Sequence, residues 1–185
     1  MILFCPGMPG AGKTILVLII IDYQRTLRDL DVDIAYLYCN FRRLDDQTVE
    51  QLIANLVKQL FSNEFPPPSA VMDVYVQHKK NRSQPSLSDL EEMFHGIAAL
   101  YKDGVFVIVD ALDECQMSDN SRSKFIEALL RLQLRESTVN ILATSRPVPD
   151  IVEAFDGHSC LEIVAQRNDI ERYMRNRMSN LRAVS

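Results

Sequence analysis

The chain has 185 residues, enough for one domain with a proper core, and its apolar share of 47% is that of an ordinary globule. Its 20 basic and 25 acidic residues leave a net charge of −5, which argues against sequence-independent binding of nucleic acid, since that needs a basic face. No segment reaches the ~20 apolar residues of a membrane-spanning helix, and nothing in the charge balance suggests a membrane-surface protein.

The opening stretch, MILFCPGMPGAGKTILVLIII, can be read as an export signal or as a phosphate-binding loop. The export reading fails on its parts. Nothing basic precedes Lys13, which sits mid-stretch, and Asp22, Tyr23 and Gln24 stand where small residues should mark a cleavage site. The loop reading fits at every position. Gly7, Gly12, Lys13 and Thr14 match G-x-x-x-x-G-K-[ST], and residues 2–5 supply the strand that must come first. The glycines let the backbone approach an anion closely. The amides of Gly10, Ala11, Gly12, Lys13 and Thr14 can then point at a β-phosphate, helped by the N-terminus of the following helix. In such a loop Lys13 reaches the β- and γ-oxygens, and the Thr14 hydroxyl completes the shell of a Mg²⁺ ion.

Residues 15–24 are apolar nearly all round, which predicts a helix buried on both sides. Residues 33–40 (DIAYLYCN) read as a strand rich in aromatic and β-branched side chains. Residues 46–61 form an amphipathic helix whose stripe is Val49, Leu52, Ile53, Leu56, Val57 and Leu60. Pro66, Pro67 and Pro68 break it in a loop over 63–69. Helices follow over 71–81 and 86–101; Ser88 with Glu91 forms a capping-box pattern, and Ser86 is the alternative cap. Residues 105–109 (VFVIV) are an unbroken apolar strand of the kind buried on both faces. A helix over 122–135, a strand over 139–144 and a short helix within 147–155 come next. A last strand over 160–164 and a final amphipathic helix over 169–181, through Ile170, Tyr173, Met174, Met178 and Leu181, close the chain. The alternation predicts an α/β fold with a mostly parallel sheet covered on both faces.

Cys5, Cys39, Cys115 and Cys160 lie far apart with no C-x-x-C pair, so they read as reduced, buried thiols of a cytoplasmic protein. His78, His95 and His158 are scattered and read as surface or satisfied core residues.

Two later motifs complete the phosphate loop. In VFVIVDALDE, Asp110 stands at the tip of a buried strand, facing the crevice where parallel sheets bind ligands, and can hold the metal. Asp113 or Glu114, one turn on, can orient or deprotonate the attacking water. Arg146, in Thr144-Ser145-Arg146-Pro147 at the end of the next strand, can touch a γ-phosphate and report its presence. The N-K-x-D pattern that reads guanine is absent, which tilts the base toward adenine.

GMPGAGKT, then VFVIVDALDEC, then ILATSRP resembles a NACHT-type nucleotide-binding domain of the STAND class. The set is most similar to the nephrocystin-like N-terminal variant common in fungal ankyrin- or WD-repeat receptor-like proteins. The resemblance implies a P-loop NTPase fold, a three-layer α/β/α sandwich with a five-stranded parallel sheet, in which the Arg146 strand lies between the phosphate-loop strand and the Asp110 strand. It implies ATP or ADP with Mg²⁺ as cofactors: Lys13 and Thr14 on phosphate and metal, Asp110 on the metal, Glu114 or Asp113 on the water, and Arg146 as sensor. Where the family often has glycine after the metal aspartate, this chain has Ala111.

The domain division that follows is 1–165 for the nucleotide-binding domain and 166–185 for the start of a helical subdomain. Only six residues precede Gly7, and a winged-helix part is missing, so the chain reads as a fragment or a degenerate short gene product. The leading functional expectation is a cytoplasmic, nucleotide-dependent signalling switch with weak ATP hydrolysis. Its partners are the nucleotide, further copies of the domain in self-association, and the effector and repeat domains of a parent protein, without nucleic acid or membrane. The alternatives are a P-loop small-molecule kinase and an inactive interaction module presenting Arg167, Arg172, Arg175, Arg177 and Arg182.

Overall fold

The computed structural model describes residues 1–26, 32–40, 48–61, 68–115, 120–135 and 138–165. In chain order the elements are β1 (Ile2–Pro6), α1 (Lys13–Thr26), β2 (Val32–Tyr38), α2 (Val49–Phe61), α3 (Ser69–Asn81), α4 (Leu87–Ala98), β3 (Gly104–Asp110), a 3₁₀ turn (Leu112–Glu114), α5 (Ser121–Arg135), β4 (Val139–Ser145), α6 (Pro149–Ala154) and β5 (Ser159–Cys160). The final helix expected over 169–181, with its arginines and the subdomain of 166–185, lies outside the described residues, as does most of the proline loop.

The five strands form one parallel sheet in the order β2-β3-β4-β1-β5. β4 therefore separates the phosphate-loop strand from the Asp110 strand, as the resemblance implies. The register aligns Cys5 with Thr144 and Tyr38 with Asp110, which brings the carboxyl ends of β1, β4, β3 and β2 to a single edge. β3 is the best-buried strand: Val105, Val107, Ile108 and Val109 are all enclosed, as its unbroken apolar run predicts. β2 is an edge strand, and α2 shields its middle: the Gln59 side-chain amide accepts from Tyr36 N–H at 3.0 Å and donates to Tyr36 O at 2.8 Å. Pairing both groups of that residue blunts an edge open to other chains.

The two faces of the sheet are unequal. α2, α4 and α5 bring Leu56, Leu60, Phe94, Phe125 and Leu129 into one large core with Val107 and Ile141. The predicted stripe of α2 is buried at all six positions. The capping ambiguity of α4 resolves to Ser86, whose Oγ accepts from Asp89 N–H at 3.2 Å while Asp89 accepts from Ser86 N–H at 2.9 Å.

Two expectations are corrected. α1 is not buried on both sides: Val17 and Ile21 pack on Ile108, whereas Ile15, Leu18, Ile19 and Tyr23 are exposed. Its all-round apolar sequence marks no preferred face, and α1 rests on the sheet by one narrow stripe. Nor are the cysteines all reduced and buried. Cys39, just after β2, and Cys115, just after the 3₁₀ turn, form a disulfide with Cα atoms 5.1 Å apart, and Cys160 is exposed. Sheet order explains the pairing: β2 and β3 are neighbours, so the residues after their tips meet. Among the described residues, no helix is long and apolar enough to cross a membrane.

Candidate functional site

The loop between β1 and α1 is shaped by its glycines. Gly12 holds φ at +96°, in the left-handed region that side chains disfavour. Gly7 is tight for a different reason: a Cβ there would lie 2.5 Å from the carbonyl oxygen of Ile163. That contact exists because the chain after β5 continues beside β1, with Leu161 N–H bonded to Phe4 O at 2.9 Å and Ile163 N–H to Pro6 O at 2.7 Å. Gly7 N–H in turn bonds Ser145 O at 3.0 Å, tying the loop to the tip of β4.

Lys13 opens α1, and its ammonium curls back over the loop, donating to Gly7 O at 2.6 Å and Met8 O at 3.1 Å. Thr14 points toward β3: its Oγ1 donates to Asp110 Oδ2 at 2.7 Å. Asp110 is buried, and its other oxygen accepts from the Thr144 hydroxyl of β4. The Thr144 hydroxyl also accepts from Ala111 N–H at 3.1 Å. Ala111 stands in the left-handed region at φ 60°, ψ 50°, where glycine would be unstrained. The turn it starts carries Asp113 and Glu114.

The two carboxylates of that turn differ. The Asp113 side chain is only 4% exposed and accepts from Arg146 twice, from its backbone N–H at 2.8 Å and from its Nε; Ser145 Oγ adds a third bond at 3.2 Å. Burial pushes the Asp113 carboxyl up, but the backbone amide and guanidinium of Arg146 outweigh it and hold the group below the usual carboxylate range. The bond to Asp113 likewise raises the Arg146 guanidinium above its ordinary value. Among the described residues, the half-buried Glu114 carboxylate forms no hydrogen bond or ion pair.

Asp110 and Thr14 together present a carboxylate and a hydroxyl, all oxygen, beside a phosphate-type loop. Such a set suits a hard divalent cation like Mg²⁺, which takes one or two carboxylates and leaves its other positions to phosphate and water. Among the described residues, no arginine, lysine or histidine forms an ion pair with Asp110. No cage of three or more His, Cys, Asp or Glu ligands occurs among those residues, and a nucleotide-borne cation does not call for one. An open cavity of about 330 Å³ flanks the loop between residues 8–11 and residues 162–165.

Gly7, Gly10, Ala11, Gly12, Lys13, Thr14, Asp110, Asp113, Glu114 and Arg146 thus all lie at the carboxyl edge of the sheet. Sequence reasoning missed Thr144, whose link to Asp110 needs the β3–β4 pairing, and residues 162–165, which carry no motif.

Three solved structures share the architecture at low identity. The ORC1 protein of Aeropyrum pernix in complex with DNA aligns with a TM-score of 0.58 at 14% identity, over 94% of this chain and 43% of that one. The ORC2 protein of Aeropyrum pernix, in ADPNP–ADP complexes, gives 0.51 at 16%, over 87% and 41%. Drosophila ORC bound to AT-rich DNA and Cdc6 gives 0.50 at 14%, over 96% and 56%. The chain therefore spans about half the length of these structures. At such identities the likeness establishes the fold, which is that of P-loop NTPases. No curated protein matches the chain. The family described as nephrocystin 3, N-terminal, matches residues 1–146, most of the sequence. With the phosphate-type loop, the acidic strand tip and the strand order all in place, the chain belongs to the nephrocystin-3 N-terminal family and has the P-loop NTPase fold.

Proposed function

We propose that this domain is a nucleotide-dependent switch that binds ATP with Mg²⁺ and hydrolyses it slowly. The observation that carries the reading is the meeting of Thr14 and Asp110 beside the loop headed by Lys13. The loop amides at the start of α1 form a cradle for an anion. Lys13, which rests on loop carbonyls, would turn from them to the phosphates. Thr14 and Asp110 hold the cation, which when bound neutralises charge on the β- and γ-phosphates.

Glu114 is the residue we assign to the attacking water, because Asp113 is enclosed and stays bonded to the Arg146 backbone N–H even when the guanidinium is drawn away. That pairing also gives the switch a resting state. A γ-phosphate competes with Asp113 for the Arg146 guanidinium, so release of the arginine from the carboxylate reports nucleotide state. We assign the base and ribose to the cavity between residues 8–11 and 162–165. Adenine is in line with the ADPNP–ADP complexes of the ORC2 relative. In a parent receptor the switch couples to effector and repeat domains and to self-association; those are part of the proposal.

Thermal unfolding with Mg-ATP, Mg-ADP and Mg-GTP, beside Lys13→Ala, tests the reading. A ligand at 100 times its Kd stabilises by ~2.7 kcal/mol, roughly 5–11 °C for a domain of this size. A shift with adenine nucleotides that Lys13→Ala abolishes is expected. A cooperative melt that no nucleotide moves would refute the proposal.

A further inference from the structure

We infer that Thr144 is a positioning residue for the metal aspartate, and that its one hydroxyl sets both the Asp110 carboxylate and the turn behind it. The inference rests on the reading above, in which Asp110 holds the nucleotide's Mg²⁺. Thr144 has no exposed surface, so its hydroxyl has only protein partners to choose from. A hydroxyl carries one proton. Here that proton goes to Asp110 Oδ1, and the same oxygen accepts from Ala111 N–H at 3.1 Å. Both roles are thereby occupied, and the rotor is fixed.

The consequence for Asp110 follows from how its two oxygens are held. Oδ2 faces Thr14, on the phosphate-loop side. Oδ1 faces Thr144, on the neighbouring strand. Thr14 belongs to the ligand cradle, so Thr144 is the donor that orients the carboxylate from outside the cradle. Hydrogen bonds to a ligating carboxylate fix its direction toward the metal, and their loss typically weakens metal affinity 10–100-fold. The second role concerns the acidic turn. Ala111 sits in the left-handed region, unfavourable for a residue with a Cβ, and the Thr144 oxygen holds its amide there. Asp113 and Glu114 follow directly, so their placement depends on the same contact.

Thr144→Val keeps the shape and removes both hydrogen bonds, whereas Thr144→Ser keeps both. Ala111→Gly relaxes the turn and so separates the two roles. The experiment measures binding of a fluorescent mant-ATP at stepped Mg²⁺ concentrations and in EDTA, with thermal melts in parallel. The variants are wild type, T144V, T144S, A111G and A111G/T144V. T144V is expected to lower the apparent Mg²⁺ affinity of the nucleotide complex about 10–100-fold, with T144S and A111G near wild type. A111G/T144V, which is spared the strained turn, should be as weak for Mg²⁺ as T144V; it serves the test alone where T144V does not fold. If A111G restores the Mg²⁺ dependence of T144V, the hydroxyl serves only the turn and the proposal is overturned. Equal Mg²⁺ dependence in all five proteins overturns it too. A wild type that binds no nucleotide refutes the switch reading first and this inference with it, an outcome distinct from the other two.

Discussion

Two adjacent carboxylates, Asp113 and Glu114, show how little residue type decides without surroundings. Asp113 is enclosed and bound to Arg146 through two atoms, so it is an anchor. In the proposed switch Glu114 is the carboxylate assigned to the water. Glu114→Gln should therefore slow single-turnover phosphate release about 10²–10⁴-fold, the usual worth of a general base, while mant-ATP affinity stays unchanged. Equal loss of binding and turnover would instead make Glu114 part of the cradle. Asp113 also makes a pH prediction. Its folded pKa lies below the unfolded value of ~3.9, so its contribution is complete above about pH 4 and is lost as pH falls through the lower folded pKa. In urea melts wild type should exceed Asp113→Asn by a constant margin from pH 7 down to about 5, and the margin should narrow as pH falls further. A margin that does not narrow at all between about pH 5 and pH 3 would show that the carboxylate's charge is not what holds Arg146.

At the scale of elements, the disulfide between Cys39 and Cys115 ties the end of β2 to the turn carrying the two carboxylates. The cysteines are 76 residues apart, and closing a loop of that length stabilises by about 4–5 kcal/mol in the chain-entropy account. Reductant should lower Tm by roughly 10 °C in wild type and leave Cys39→Ala/Cys115→Ala unmoved. Without reductant, a thiol reagent should modify Cys160 quickly and Cys5 slowly, since Cys5 is buried and its thiol is pushed up to about 11 by that burial and by Cys160. Four reactive thiols in the native, unreduced protein would rule the bridge out. The bridge was not legible in the sequence, because spacing does not set connectivity and the pairing depends on β2 lying beside β3. By contrast β3, β4 and the α2 stripe were legible, since period and apolar runs report burial directly. The loop glycines, Lys13, Thr14 and Asp110 were legible for a similar reason: their spacing is the geometry. Thr144 was not, because its partner is 34 residues away on another strand. The α4 cap stayed ambiguous because Ser86-x-x-Asp89 and Ser88-x-x-Glu91 fit one pattern equally well, and only the backbone decides between them.

At the scale of the whole molecule, stability is concentrated on one side of the sheet. Among the described residues, the face under α2, α4 and α5 holds nearly all of the large enclosed side chains, and the face under α1 holds a cluster of three, Val17, Ile21 and Ile108. An enclosed leucine leaves a cavity when truncated, so Leu56→Ala, with no exposed surface, should cost about 2–5 kcal/mol. Ile19, on the outer side of α1, is 60% exposed and should cost no more than ~0.5 kcal/mol as alanine. Sequence pattern alone marks both positions as buried, Leu56 on the stripe of an amphipathic helix and Ile19 inside the unbroken run from Ile15 to Ile21. The comparison therefore tests the tertiary arrangement rather than helix propensity. Urea melts at constant slope decide it, since an unchanged slope means that the same surface is exposed on unfolding. A loss at Ile19 comparable with that at Leu56 would mean that something covers the outer face of α1 in solution. A small loss there, beside a large one at Leu56, would show that α1 is held by its inner stripe and by the glycine loop that starts it.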